Sequence, residues 1–139
     1  MVVTTEMTLQ TRGHADMHDV TEAVTLAVAK AGLREGLVTV FSPSSTSALT
    51  TIEFEDGALA DLRRALDDIA PPDRDYAHNR RWGDDNGHAH LRAALIGPAL
   101  SVPVTGGRLR LGTWQQIVFI DFDNRPRRRV LLIHMNGEA

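Results

Sequence analysis

Trp114-Gln115-Gln116-Ile117-Val118-Phe119-Ile120-Asp121-Phe122, followed by Asn124-Arg125-Pro126 and then Arg129-Val130-Leu131-Leu132-Ile133-His134-Met135, is the stretch that decides the fold. β-Branched and aromatic residues fill both runs, and a Pro-containing turn parts them, so each reads as a strand and the two as a hairpin. Just upstream, Gly106-Gly107 separates two further candidate strands, Ala99–Val104 and Arg108–Leu111. Residues 2–10, Leu37–Phe41 and Ala48–Phe54 have strand character as well. Helical spacing occurs earlier in the chain. From about Asp16 to Ala31, Met17, Val20, Val24, Ala27, Val28 and Ala31 recur on one face, stopped by Gly32. After Gly57 the residues Leu59, Leu62, Leu66 and Ile69 form a stripe, with Pro71-Pro72 behind it. A short helix from His90 to Leu95, with Leu91, Ala94 and Leu95 turned inward, closes at Gly97-Pro98. Strands grouped late and helices grouped early point to a single α+β domain over residues 1–139. Its core would be a mainly antiparallel, sandwich-like β-sheet with two or three helices, rather than alternating βαβ units.

Composition narrows the function. The 139 residues hold 42% hydrophobic and 24% charged side chains, ordinary for a globular domain. A net charge of −3 does not advertise nucleic-acid binding. No cysteine is present, which excludes disulfides, thiolate metal sites and Cys nucleophiles together. No apolar run approaches the roughly 20 residues needed to span a bilayer. The N-terminal segment does not read as a secretory signal, so a cytoplasmic protein is expected.

The chemistry concentrates between Tyr76 and His90, a segment almost without aliphatic side chains. His78, His88 and His90 have the spacing of a divalent-metal site, zinc first, with neutral imidazoles as ligands. Two residues apart on a regular helix, His88 and His90 would point nearly opposite ways. The three-His set therefore requires His88 to lie in an extended approach or at the helix cap. The alternative is a solvated loop in which one His caps a helix. Asp84 and Asp85 suit orientation of an imidazole or general-base work, or simply a solvated turn. Glu53, in a strand among Leu49, Ile52 and Phe54, is either an acid/base group or an exposed strand residue.

Three other features suit a phosphorylated small molecule. The hydroxyl-rich bend from Ser42 to Thr51 offers donors at Ser45 and Thr46. The glycine-rich turn before Gln115 presents polar groups to a ligand's edge, and Asn86 stands at the entry to the last helix. The cluster Arg125, Arg127, Arg128, Arg129 could clamp phosphate, with Arg128 the nominated contact, or could guard a strand edge. His14, His18 and His134 read as structural.

These motifs resemble the YjbQ-like family, small bacterial and archaeal proteins often labelled "secondary thiamine-phosphate synthase enzyme". The resemblance rests on Ser45-Thr46-Ser47-Ala48, Tyr76-x-His78-Asn79, Trp82-Gly83-Asp84, Asn86-Gly87-His88-x-His90-Leu91 and Leu111-Gly112-Thr113-Trp114-Gln115-Gln116-Ile117. It runs in order over nearly the whole chain. It implies a compact α+β fold assembled as a homotrimer, with polar sites near subunit junctions. It also implies a weak synthase activity that joins a pyrimidine pyrophosphate to a thiazole phosphate. By the same mapping His78 and His90 fall on family histidines and Glu53 on the strand carboxylate. Many relatives carry a His at the head of the Thr-Ser-Ala motif, where this chain has Ser44 or Ser45, which implies a rearranged ligand set.

Overall fold

The computed structural model covers Met1–Ala139 and is α+β, with every strand pairing antiparallel. The elements in chain order are β1 (Val2–Thr11), β2 (Asp16–Asp19), α1 (Thr21–Ala31), β3 (Glu35–Phe41), β4 (Ser47–Ile52) and α2 (Asp56–Ile69). They continue with α3 (Ala77–Trp82), α4 (Gly87–Ile96), β5 (Ala99–Thr105), β6 (Arg108–Leu109), β7 (Gln116–Asp121) and β8 (Arg127–Glu138). A five-stranded sheet has the order β1-β8-β3-β5-β6, and a three-stranded sheet the order β2-β7-β4.

The small sheet lies in the middle of the molecule. One face of it, with Leu49, Ile117 and Phe119, joins Val38, Val40, Leu131, Ile133 and Met135 of the large sheet and Val24 and Val28 of α1 in one core. Its other face, with Met17, Ala48, Val118 and Ile120, packs against Leu66 of α2 and Ala89 and Ala93 of α4. Covered on both sides, β7 is apolar without alternation, as a doubly buried strand must be. β1 shows the opposite pattern, alternating half-buried and exposed residues along one solvated face. Burying side chains as large as Phe119 or Phe122 contributes roughly 1.5–3 kcal/mol each.

Several sequence expectations change. The Trp114–Phe122 and Arg129–Met135 runs are strands, but they do not form a hairpin with each other. β7 pairs β2 and β4, while β8 pairs β1 and β3. A strand apolar on both faces needs the covered sheet, and a strand apolar on one face needs the outer one. The expected helix from Asp16 begins only at Thr21, because Asp16–Asp19 is drawn into β2, where Met17 pairs with Ile120. The polar segment holds a helix that its composition hides, α3, which brings the count of helices to four. In α2 Leu66 is buried but Ile69 is exposed, and Ala70 takes the inward place. In α4 the inward face is His88, Ala89, Arg92 and Ala93, whereas Leu91, Ala94 and Leu95 are exposed. Ala89 and Ala93 face the small sheet because α4 lies directly on it, and His88 and Arg92 are buried beside them.

Candidate functional site

The site is assembled where α3, the loop after it and the first turns of α4 meet. Tyr76 anchors the approach by donating its hydroxyl to the Pro71 carbonyl at 2.7 Å. Gly87 opens α4 in direct contact with this segment: a Cβ there would lie 2.6 Å from the Tyr76 Cβ. The Gly87 N–H donates to Asn79 Oδ1 at 2.8 Å, tying the two helices together. This close approach puts His78 of α3 over His90 of α4, ring centroids 4.2 Å apart. Asp84, in the intervening loop, brings Oδ1 to 3.2 Å from His78 Nδ1. The donor atoms of His78, Asp84 and His90 lie within 4.8 Å of one another. His78 Nδ1 is buried and, despite the nearby carboxylate, has no aligned hydrogen-bond partner.

His88 takes a different place. α4 is already regular at Gly87, so the extended or capping geometry that a three-His set requires is not met. A two-residue step along the helix turns His88 about 200° from His90, and Asp84 stands as the third donor beside His78 and His90. His88 is buried on the far side of α4, near His14 and Arg92, and its Nδ1 has no partner. Burial, reinforced by Arg92 and His14, lowers its pKa; burial, reinforced by His78, lowers that of His90. Both are therefore biased toward the neutral imidazole that a metal needs.

Behind α4 stands a network that residue-by-residue reading passed over. Asp121 and Asp123 leave β7 as Arg127 and Arg129 enter β8. Arg129 grips Asp121 with two bonds, Nε to Oδ2 at 2.7 Å and Nη2 to Oδ1 at 2.9 Å. The same Nη2 reaches Thr46 Oγ1 at 2.8 Å, and Thr46 donates to Asp123 Oδ2 at 3.0 Å. Arg127 donates its Nε to the same oxygen at 3.1 Å. Burial works to raise the Asp123 carboxyl, but the Thr46 hydroxyl, the Arg127 guanidinium and Asn86 outweigh it and hold it below its ordinary value. Asp123 acts electrostatically on both His88 and His90, and its Oδ1 is buried without a partner. The one sequence signal for this network was the matched spacing Asp121-x-Asp123 and Arg127-x-Arg129, which places each pair on one side of an extended segment.

The other nominated residues scatter. Ser45, with Ser44, Ser47 and His90, lines a cleft of about 250 Å³. Thr46 is buried in the carboxylate network, and Asn86 is buried with its Oδ1 accepting the Asn124 N–H at 3.1 Å. Glu53 is exposed just past the far end of β4, away from the Ser47 end that pairs with Asp121. Gln115 donates to Thr51 Oγ1 at 3.2 Å and lines a separate cavity of about 350 Å³ with Arg110. Arg128 is exposed opposite Gln10 on β1, while its neighbours Arg127 and Arg129 turn to the acidic pair.

Comparison with known proteins bears on these observations. A family model described as "UPF0047 protein YjbQ-like" matches residues 5–138. A UPF0047 protein of Archaeoglobus fulgidus is 40% identical over 91% of this chain and 97% of its own length. A UPF0047 protein of Methanothermobacter thermautotrophicus is 38% identical over 99% of this chain and 94% of its own. The crystal structure of a YbjQ-like protein of unknown function from Sulfolobus solfataricus superposes with a TM-score of 0.94 at 31% identity, covering 99% of both chains. A hypothetical protein from Aeropyrum pernix gives 0.91 at 34% identity, over 98% of this chain and 99% of the other. With the family model and these relatives matching nearly end to end, the chain belongs to the YjbQ-like UPF0047 family.

Proposed function

We propose that the protein is a metal-binding enzyme of phosphate or pyrophosphate chemistry that works as a cytoplasmic homotrimer. His78, Asp84 and His90 would hold one divalent ion, zinc in the first instance. The observation that carries this reading is the convergence of one donor atom from each within 4.8 Å, together with a buried His78 Nδ1 that has no hydrogen-bond partner. Two imidazoles and one carboxylate are a donor set that zinc accepts, and three protein ligands leave a fourth position open, as in catalytic rather than structural sites. The cleft with Ser44 and Ser45 touches His90, so these two hydroxyls can donate to phosphate oxygens next to the ion, while Ser47 is buried and bonded to Ser42.

The finer reading is a weak transfer of the thiamine-phosphate-synthase type. A thiazole-phosphate nitrogen bonds to the methylene carbon of a pyrimidine pyrophosphate, the carbon–oxygen bond breaks, and pyrophosphate leaves with the electron pair. A divalent ion bound here supplies a Lewis acid for the leaving oxygens. The chain's own residues bind and orient: the Ser44 and Ser45 hydroxyls hold a phosphate group, and the Gly87–Asn79 bond between α3 and α4 keeps His78 beside His90. Asp84, not the distant Glu53, is the carboxylate beside the histidines.

One observation favours a second reading, a non-catalytic trimer with a structural His network: the His78–His90 stack beside Asp84 already resembles a self-contained contact. Elemental analysis of untagged protein separates the two. Near-stoichiometric zinc is expected, retained in His88→Ala and lost in His78→Ala/His90→Ala. Absence of metal from the wild type after zinc is added back sinks the enzyme reading and leaves the structural network.

A further inference from the structure

A second polar site lies on the other side of α4. Two adjoining clefts of about 430 and 150 Å³ share His14, Pro72 and His88 as walls. The larger falls within the size range of small-molecule sites, roughly 300–1,000 Å³. The loop after β1, α2, the loop between α2 and α3, and the start of α4 all contribute to it. All three non-glycine residues with positive φ in the chain, His14 at 55°, Ala15 at 62° and Asp85 at 55°, lie on these clefts. Such strain persists where the surroundings impose it, and it gathers at binding sites.

Arg63, Arg74 and Arg92 give this place its charge. Arg92 is committed to Asp67 at 2.9 Å and to the Ala70 carbonyl. Arg63 and Arg74 have no carboxylate partner; they donate to the carbonyls of His14 at 3.4 Å and Ile69 at 2.8 Å. Asp73 and Asp85 are exposed on the walls, free to be solvated. His88 is only 4% exposed, and its Nδ1 has no hydrogen-bond partner. A buried imidazole nitrogen left unmatched calls for a water or a ligand. In the first turn of α4 the Gly87 N–H goes to Asn79, and those of Ala89 and His90 go to the Asn86 carbonyl. These N–H groups are already paired, so the guanidinium groups are what an anion would meet here. Guanidinium groups keep their charge and match phosphate oxygens with a planar fork, whereas the sole converging set of His and acidic donors is the His78, Asp84 and His90 group.

We propose that the two adjoining clefts, Arg74 on the larger and Arg63 on the smaller with His14 and His88 common to both, bind the phosphate group of a small phosphorylated molecule, without a metal ion and separately from the His78–Asp84–His90 site. The remaining volume of the larger cleft takes the organic part. Isothermal titration of chelator-treated protein with inorganic phosphate and with glycerol 3-phosphate tests it. Saturable binding at about millimolar or tighter dissociation constants is expected, with glycerol 3-phosphate at least as tight as phosphate. Arg63→Gln/Arg74→Gln, exposed positions whose replacement leaves the fold intact by circular dichroism, should weaken both at least about tenfold. His78→Ala/His90→Ala should bind phosphate as the wild type does. No saturable binding overturns the proposal, as does an Arg63→Gln/Arg74→Gln variant that binds normally. Loss of binding in the His78→Ala/His90→Ala protein moves the phosphate to the other site and also overturns it. Metal content, read separately, reports on the ion site whatever these titrations show.

Discussion

His88 and His90 are separated by one residue, yet the helix sends them to different clefts, and their shared property is electrostatic. Burial lowers both, helped at His88 by Arg92 and His14 and at His90 by His78. As pH falls below the ordinary imidazole value near 6.5, the unfolded chain takes up protons that the folded chain refuses. Their contribution to stability is therefore present above that value and declines below it. Asp16 and Asp123 act in a lower window. Burial works to raise both, but Arg12 and His18 at Asp16, and Thr46 and Arg127 at Asp123, hold them below the ordinary 3.8. Their contribution is full above that value and is lost as pH falls through the lowered folded values. Calorimetry of the metal-free protein should show a melting temperature that is flat near pH 7 to 8, declines below about pH 6.5 and drops again below about pH 4. A melting temperature that rises between pH 7 and pH 5 contradicts this.

The relation between α3 and α4 is the element on which the candidate metal site depends. Gly87 lets the start of α4 press on Tyr76, and a methyl group there would stand 2.6 Å from the Tyr76 Cβ and 2.9 Å from its Cγ. Gly87→Ala must push the helices apart and so separate His78 from His90. The core around Phe119, between the two sheets and α1, contains no residue of α3 or α4. Zinc affinity, measured by competition with a chromophoric chelator, should fall by about 10- to 100-fold, the usual effect of disturbing the support of a ligand. An unchanged affinity would show that the donors do not act together. The bend from β7 to β8 is the corresponding device for the two sheets. There Arg127 and Arg129 bond Asp123 and Asp121 as the chain passes from one sheet to the other.

For the whole molecule, the proposed trimer would be built on the outward face of α4. Leu91 at 38%, Leu95 at 59% and nearby Trp82 at 66% are exposed around the histidine site. A soluble monomer gains nothing from such a face, whereas a second copy can cover it. Light scattering should give a mass three times that of the chain, and Leu91→Glu/Leu95→Glu should reduce it to one. A wild-type mass equal to one chain rules out the trimer. No helix is long and apolar enough to cross a membrane.

Sequence alone determined the α+β class, nearly every strand, the end of α1 at Gly32 and the family, because apolar periodicity, glycine stops and local motifs are written along the chain. It also marked the Tyr76–His90 segment, with His78, His88 and His90 as ligands and Asp84 as a base or orienting group, but not the grouping of Asp84 with His78 and His90. It did not reveal α3, whose residues lack an apolar stripe, or the start of α1, where pairing of Met17 with Ile120 overrode helical spacing. Nor could it assign β7 and β8 to different sheets, turn Leu91 and Leu95 outward, or join Thr46 to Asp121, Asp123 and Arg129. Those outcomes depend on which surfaces cover which strand and on partners far apart in sequence, Thr46 and Arg129 being 83 residues apart. Only the tertiary structure brings such partners to hydrogen-bonding distance, and it is there that the two clefts on either side of α4 are made.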